Sequence, residues 1–145
     1  MWYRIFGGSD VDPDHNAILE HLNRIDEVHG HFHGDDDGWF HADLMWGDVT
    51  LLLDRYTADE EGIRAELNTW AAVVEAHLGG AEQTWLMERL IQTRQLFTLQ
   101  GPETGNGQLL CSALCEYLAR TTDGVYQIDG KGLFARDGTR LWRET

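Results

Sequence analysis

The chain has very little positive charge and no long apolar segment. Its 145 residues include one lysine, Lys131, and ten arginines against 25 aspartates and glutamates, so the formal net charge is −14. Nucleic acids and anionic membrane surfaces are bound through basic side chains that neutralise phosphate groups. We therefore expect no nucleic-acid partner and no membrane partner. The sequence also lacks an apolar stretch long enough to form a membrane-spanning helix.

Cysteine and proline are also scarce, with two of each. So few cysteines argue against a disulfide-stapled secreted fold, and the apolar run after Met1 reaches Gly7 too soon for a signal peptide. We therefore expect a cytoplasmic protein. Cys111 and Cys115 lie four residues apart in a predicted helix, where we expect them to be buried as small apolar side chains. A redox pair or half of a metal site is the alternative.

The overall composition is that of a folded protein. Hydrophobic residues make up 42% of the chain and charged residues 25%, whereas disordered chains have fewer hydrophobic residues. A chain of this length typically buries enough surface for one self-sufficient core. We expect residues 1–145 to form a single globular domain without a linker or an internal repeat.

Hydrophobic periodicity predicts an α+β element order. Residues 2–6 predict a strand, and Asp12 and Pro13 predict the start of a helix, as its cap and its first residue. Period-two alternation then predicts three more strands, of which the third covers 49–53. About three helices and a C-terminal β meander follow, although residues 96–99 at the end of the second of these helices are compatible with a strand. The predicted fold is α+β, with an antiparallel sheet from N-terminal strands in the order βαβββ.

The negative charge is concentrated at one end of the chain. Residues 1–61, which we call the acidic segment, contain 15 acidic residues and three arginines, a net charge of −12, together with six of the seven histidines. A charge asymmetry of this size bears on partners and solubility rather than on fold. It favours docking of a basic partner, although a solvated acidic surface or salt adaptation would give the same composition.

Residues 28–44, which we call the histidine hairpin, combine these histidines with regular alternation. In the two predicted strands of this hairpin, which flank the glycine- and aspartate-rich turn, even-numbered residues are apolar and odd-numbered residues are mostly histidine or aspartate. A loop at residues 34–38 would pair residues whose numbers sum to 72. The predicted pairs are His31 with His41, His29 with Asp43, and Phe32 with Phe40. One face would then be apolar and the other would carry histidine and aspartate, and a register shift of two residues would preserve both faces.

The polar face of the hairpin suggests a metal site. His29, His31, His41 and Asp43 would supply three imidazole nitrogens and one carboxylate. This set suits Zn²⁺ or, with open coordination positions, Fe²⁺, Mn²⁺ or Ni²⁺. Two other hypotheses use the same residues: a solvent-facing polar surface without a ligand, or a cluster that gains charge as the pH falls.

The main functional hypothesis is a non-catalytic protein-binding module that docks a basic partner. Asp35, Asp36 and Asp37 in the hairpin turn are candidate contacts, and Trp39 and Trp46 are candidate anchors if they are exposed. In size and acidity alone, the chain resembles bacterial immunity proteins against basic nuclease toxins.

Two alternatives remain open. The first is a metalloprotein whose metal site is the histidine hairpin and which acts as a hydrolase or an oxygenase. The second is a homo-oligomer. The sequence assigns no nucleophile, general acid and general base, so we do not expect an enzyme.

Overall fold

The structure, a computed structural model, describes residues 1–102 and 105–144. The strands are β1 (Trp2–Gly7), β2 (His29–Asp35), β3 (Gly38–Trp46), β4 (Val49–Thr57), β5 (Gln95–Gln100), β6 (Val125–Ile128), β7 (Gly132–Phe134) and β8 (Arg140–Arg143). The helices are α1 (His15–Asn23), α2 (Ile63–His77), α3 (Gly80–Ile91) and α4 (Gly105–Thr121). The α+β prediction is confirmed. The ambiguous residues 96–99 belong to a strand, β5, which lies between α3 and α4 in sequence.

All eight strands form one sheet in the order β2-β3-β4-β5-β1-β6-β7-β8, and the neighbouring strands are antiparallel. The first strand, β1, therefore lies between the N-terminal strands and the C-terminal meander. No helix in the described ranges 1–102 and 105–144 has the length and apolar character needed to cross a membrane.

Helices pack on both faces of the sheet. Successive residues of a strand point to opposite faces, so Ile5 and Phe6 of β1 enter two separate cores. Ile5 packs in the core that includes α1 and α4, and Phe6 packs in the core that includes α2 and α3. Cys111 and Cys115 are unpaired and buried in the first of these cores, as predicted. Burial raises the pKa of the Cys111 thiol to about 11.

The predicted start of the first helix is two residues too early. The N-cap is Asp14, whose carboxylate accepts a hydrogen bond from the backbone N–H of Asn16. Pro13 lies before the helix, and its carbonyl oxygen accepts the indole N–H of Trp39 at 2.8 Å. The helix does begin with an aspartate cap, as predicted, but Asp12 and Pro13 contact other parts of the chain instead of starting the helix. Asp12 forms an ion pair with Arg55 at 3.4 Å, and Pro13 contacts Trp39.

The two faces of the histidine hairpin are as predicted near its base, but the register is not. Strand β2 continues to Asp35, which pairs with Gly38 across a tight turn, so the five-residue loop prediction is wrong. Gly38 has φ +113°, a conformation that favours glycine. Further along the ladder, Gly34 pairs with Trp39 and His33 with His41, which leaves Phe40 as the extra residue of a β-bulge.

The bulge changes every predicted pair of the hairpin. His31 lies opposite Asp43, His29 opposite Met45 and Phe32 opposite Ala42. The predicted pairs of His31 with His41, His29 with Asp43, and Phe32 with Phe40 are therefore wrong. The shorter turn and the extra residue together move the register by two, which keeps histidine and aspartate on one face.

Trp39, and not Phe40, fills the core beside the bulge. The Trp39 side chain is 6% exposed, and its ring centroid lies 5.3 Å from that of Phe32 and 5.8 Å from that of Phe97. Phe40 is 50% exposed. Simple alternation would place Phe40 in the core and Trp39 on the exposed face, and the bulge reverses these two positions.

Changing Trp39 to Ala and Phe40 to Ala tests this exchange. Trp39→Ala removes a buried ring and its hydrogen bond, so we expect it to lower the free energy of unfolding by about 3–5 kcal/mol. Phe40→Ala removes an exposed ring and should change it by less than about 0.5 kcal/mol. Urea unfolding of both variants measures the difference. A loss in Phe40→Ala as large as that in Trp39→Ala would contradict the bulge.

Candidate functional site

Cross-strand pairing aligns side chains into two rows on one face of the sheet. Directly paired residues project to the same side, so the strand registers define each row. The first row crosses six strands and contains His33, His41, Asp54, Thr98, Arg4 and Gln127. The second row crosses five strands and contains His31, Asp43, Leu52, Gln100 and Trp2.

Helices cover only part of this face. The core under α2 and α3 includes Phe6, Leu96 and Val125, which lie beyond the first row. The second row is open, because Leu52 is 37% exposed and Trp2 is 39% exposed. The histidine face of the hairpin therefore lies on an uncovered part of the sheet.

His41 is held between two carboxylates. Its Nδ1 lies 2.7 Å from Oδ1 of Asp54, and its Nε2 lies 3.1 Å from Oδ1 of Asp43. A neutral imidazole donates only one hydrogen bond, whereas the doubly protonated ring donates to both carboxylates. The hydrogen bond to Asp54 is the largest cause of a raised pKa of His41, with Asp43 adding to it and partial burial opposing it.

Asp43 connects His41 to a second histidine. Its other carboxylate oxygen, Oδ2, lies 3.5 Å from Nε2 of His33, and the rings of His33 and His41 stack with centroids 5.6 Å apart. The hydrogen bond from His41 is the largest cause of a lowered pKa of Asp43, and His33 contributes in the same direction. We call His33, His41, Asp43 and Asp54 the imidazole–carboxylate cluster.

Sequence reasoning found only half of this cluster. It selected His41 and Asp43, but it left out His33 and Asp54. The predicted third strand ended at Leu53, whereas β4 continues to Thr57 and places Asp54 opposite His41. Extending the strand into its charged end would have identified this pair.

The four predicted metal ligands do not converge. His29 lies at the far end of β2, where its Nε2 is 3.1 Å from Oε1 of Glu27, and His31 lies opposite Asp43 in the ladder. In the part of the chain that the structure describes, no three or more histidine, cysteine, aspartate or glutamate side chains are grouped to hold a metal ion. Metal binding stays a prediction, and it requires His41 to release one carboxylate.

The candidate partner contacts lie around the turn of the hairpin and at its base. Asp35, Asp36 and Asp37 are exposed at the turn. Trp46 is partly exposed at the base, where its indole N–H donates to Asp26 at 2.8 Å. Trp39 is buried and does not meet the condition for an anchor.

Phe40 is the exposed aromatic residue beside the turn, and sequence reasoning missed it because alternation placed it in the core. It lines an open groove of about 290 Å³ together with Asp35, Asp37, Arg55 and Glu60. We call this groove the tip groove.

No family model, curated protein or solved structure matches this chain.

The cluster has a defined effect on stability. Because the pKa of His41 is raised above its ordinary value of 6.5, protonated His41 contributes stability below pH 6.5. This contribution is lost as the pH rises through the folded-state pKa. The lowered pKa of Asp43 contributes stability above its ordinary value of 3.8, which is lost as the pH falls through the folded-state pKa. The contributions of His41 and Asp43 to the free energy of unfolding are therefore both fully present only between pH 3.8 and pH 6.5.

Asp54→Asn tests this linkage, because it removes the carboxylate that contributes most to the raised pKa of His41. We expect the wild-type protein to lose more free energy of unfolding between about pH 5.5 and about pH 8.5 than Asp54→Asn does. Urea unfolding at the two pH values measures the difference. Asp48→Asn removes the same charge from an exposed turn and should behave like wild type. The account fails if Asp54→Asn and wild type show the same pH dependence.

The metal prediction has a direct test. Elemental analysis of the purified protein and thermal unfolding with added Zn²⁺, Fe²⁺, Mn²⁺ or Ni²⁺ measure retention and stabilisation by the ion. If the hairpin binds one of them, the melting temperature rises, and His41→Gln removes the rise. A metal-free protein whose melting temperature does not respond to any of the four ions contradicts the prediction.

Proposed function

We propose that this protein is a non-catalytic binding module that docks a basic protein partner at the tip groove. The observation that carries this proposal is the half-exposed ring of Phe40, which shares the groove with the carboxylates of Asp35, Asp37 and Glu60. Burial of the ring against a partner would stabilise a complex, and the carboxylates favour basic side chains over acidic ones.

The chemistry of the groove suits an arginine or a lysine of the partner. A guanidinium or ammonium group over the face of an aromatic ring is attracted by the ring quadrupole. Carboxylates beside the ring would accept its N–H groups in charge-assisted hydrogen bonds. Arg55 of the same chain also lines the groove, but its guanidinium lies 5.8 Å from the centroid of the Trp39 ring and donates to the carbonyl oxygen of Trp39.

The charge distribution supports a basic partner over a neutral one. The acidic segment has a net charge of −12, and it includes the whole of the tip groove. A single-sign surface raises the rate of encounter with a partner of opposite charge, and this effect weakens as salt screens it. Leu109 on α4 is also exposed, but it lines none of the grooves described here.

Partner capture through position 40 tests the proposal. A photoreactive phenylalanine analogue at this position should crosslink to a protein with a basic surface in a lysate of the source cells. The captured protein is then purified and its dissociation constant for the wild-type chain is measured at low and high salt. Affinity should fall as salt rises, and an acidic partner would contradict the proposal.

Two matched pairs of variants then assign the binding to the groove. Phe40→Ala should weaken the complex by about 30-fold, the effect of losing a central aromatic anchor, whereas Leu109→Ala should not change it. Asp37→Asn should weaken it more than Asp48→Asn, which removes the same charge about 25 Å away at the other end of β3. Equal affinities for wild type and Phe40→Ala would exclude the tip groove as the docking site.

A further inference from the structure

Strand β2 is a long exposed edge of the sheet. It pairs only with β3, so alternate residues direct backbone N–H and C=O groups away from the sheet. Natural edge strands are commonly protected by shortness, charged side chains, proline or a β-bulge. Strand β2 has seven residues without lysine or proline, its one carboxylate, Asp35, is its last residue, and the extra residue of the bulge, Phe40, lies on the partner strand β3.

The opposite edge of the sheet is protected. Strand β8 has only four residues, and its first and last residues, Arg140 and Arg143, are exposed. A short strand with a charged residue at each end is a poor template for another strand. The two edges therefore differ, and β2 is the one that can accept an additional strand.

An open groove of about 640 Å³ follows the edge of β2. It is lined by the consecutive β2 residues 30–35, by Gly38 and Trp39 of β3, and by residues 12–15, which lead into α1 and include its first residue, His15. Because consecutive strand residues point to opposite faces, a groove that contacts all of them runs along the strand edge. Gly30 and Gly34 are among these residues and carry no side chain of their own, and Leu19 of α1 packs against Gly30 on the core side.

We propose that an extended, basic segment of the partner pairs with β2 as a ninth strand. This inference rests on the proposed function and specifies how the partner is held. Backbone hydrogen bonds to an exposed edge supply affinity in such strand additions. The exposed carboxylate of Asp35 lines the same groove, together with Asp14, which also caps α1, and Asp12, which also pairs with Arg55, and these carboxylates favour lysine and arginine in the added strand. Asp35 also lines the tip groove, so the two grooves adjoin at the turn.

A second copy of this chain fits the edge less well. Pairing two β2 edges would bring together two copies of the acidic segment, each with a net charge of −12. Like charges across an interface oppose association. The occupant that the charges favour is therefore a basic segment of a different protein.

Backbone N-methylation of a probe peptide tests strand pairing without altering the protein. The probe is a peptide of alternating lysine and valine, about nine residues long to match β2 and its turn. A second peptide with the same side chains is N-methylated at every residue, so it keeps the charge and cannot donate backbone hydrogen bonds. Binding is followed through the backbone amide resonances of isotope-labelled protein.

The unmodified peptide should shift the amide resonances of β2, and N-methylation should weaken binding at least about tenfold, since several backbone hydrogen bonds are lost. Equal binding of the two peptides, or shifts that bypass β2, would overturn strand addition. So would the absence of binding at millimolar peptide, or self-association of the chain through β2 seen by sedimentation. None of these outcomes depends on Phe40. Failure of the proposed function shows separately, as unchanged partner affinity in Phe40→Ala.

Discussion

The pairing of β2 with β3 is the constraint on which the proposed binding surface depends. A strand has a side-chain period of two, so a single extra residue exchanges the faces of everything on one side of it. Here the extra residue is Phe40. Between the bulge and the turn, Trp39 enters the core. On the other side of the bulge, His33 lies opposite His41 and the histidine face is preserved. One local irregularity thus provides a buried anchor for the hairpin and an exposed aromatic ring at its tip.

The arrangement of charges keeps the hairpin end of the molecule acidic. Two of the three arginines in the acidic segment make internal contacts. Arg4 donates to Gln127 and Asp129 at 2.7 and 2.8 Å, and Arg55 donates to the carbonyl oxygen of Trp39 at 3.0 Å. The protonated form of His41 offsets part of the charge of Asp43 and Asp54. At the turn, Arg55 lines the tip groove and pairs with Asp12, and the carboxylates of Asp35, Asp36, Asp37 and Glu60 outnumber it, so this end of the hairpin keeps a net negative charge.

The fold was more predictable from the sequence than the candidate site. Alternation and helical periodicity depend on which residues are apolar, and they correctly predicted the α+β class and the two faces near the base of the hairpin. The register could not be obtained in this way, because the turn length and the bulge depend on local backbone geometry at Gly34 and Gly38. The Asp54 contact could not be obtained from one hairpin either, since it comes from the neighbouring strand β4.

The central claim is that a basic partner binds the tip and the outer edge of the histidine hairpin. Hydrogen–deuterium exchange of backbone amides, compared between the free protein and its complex with the purified partner, tests it most directly. The account predicts that exchange slows within residues 30–40 and 12–15 on binding. Protection confined to the meander or to the α2 and α3 side, with exchange in the hairpin unchanged, would contradict it.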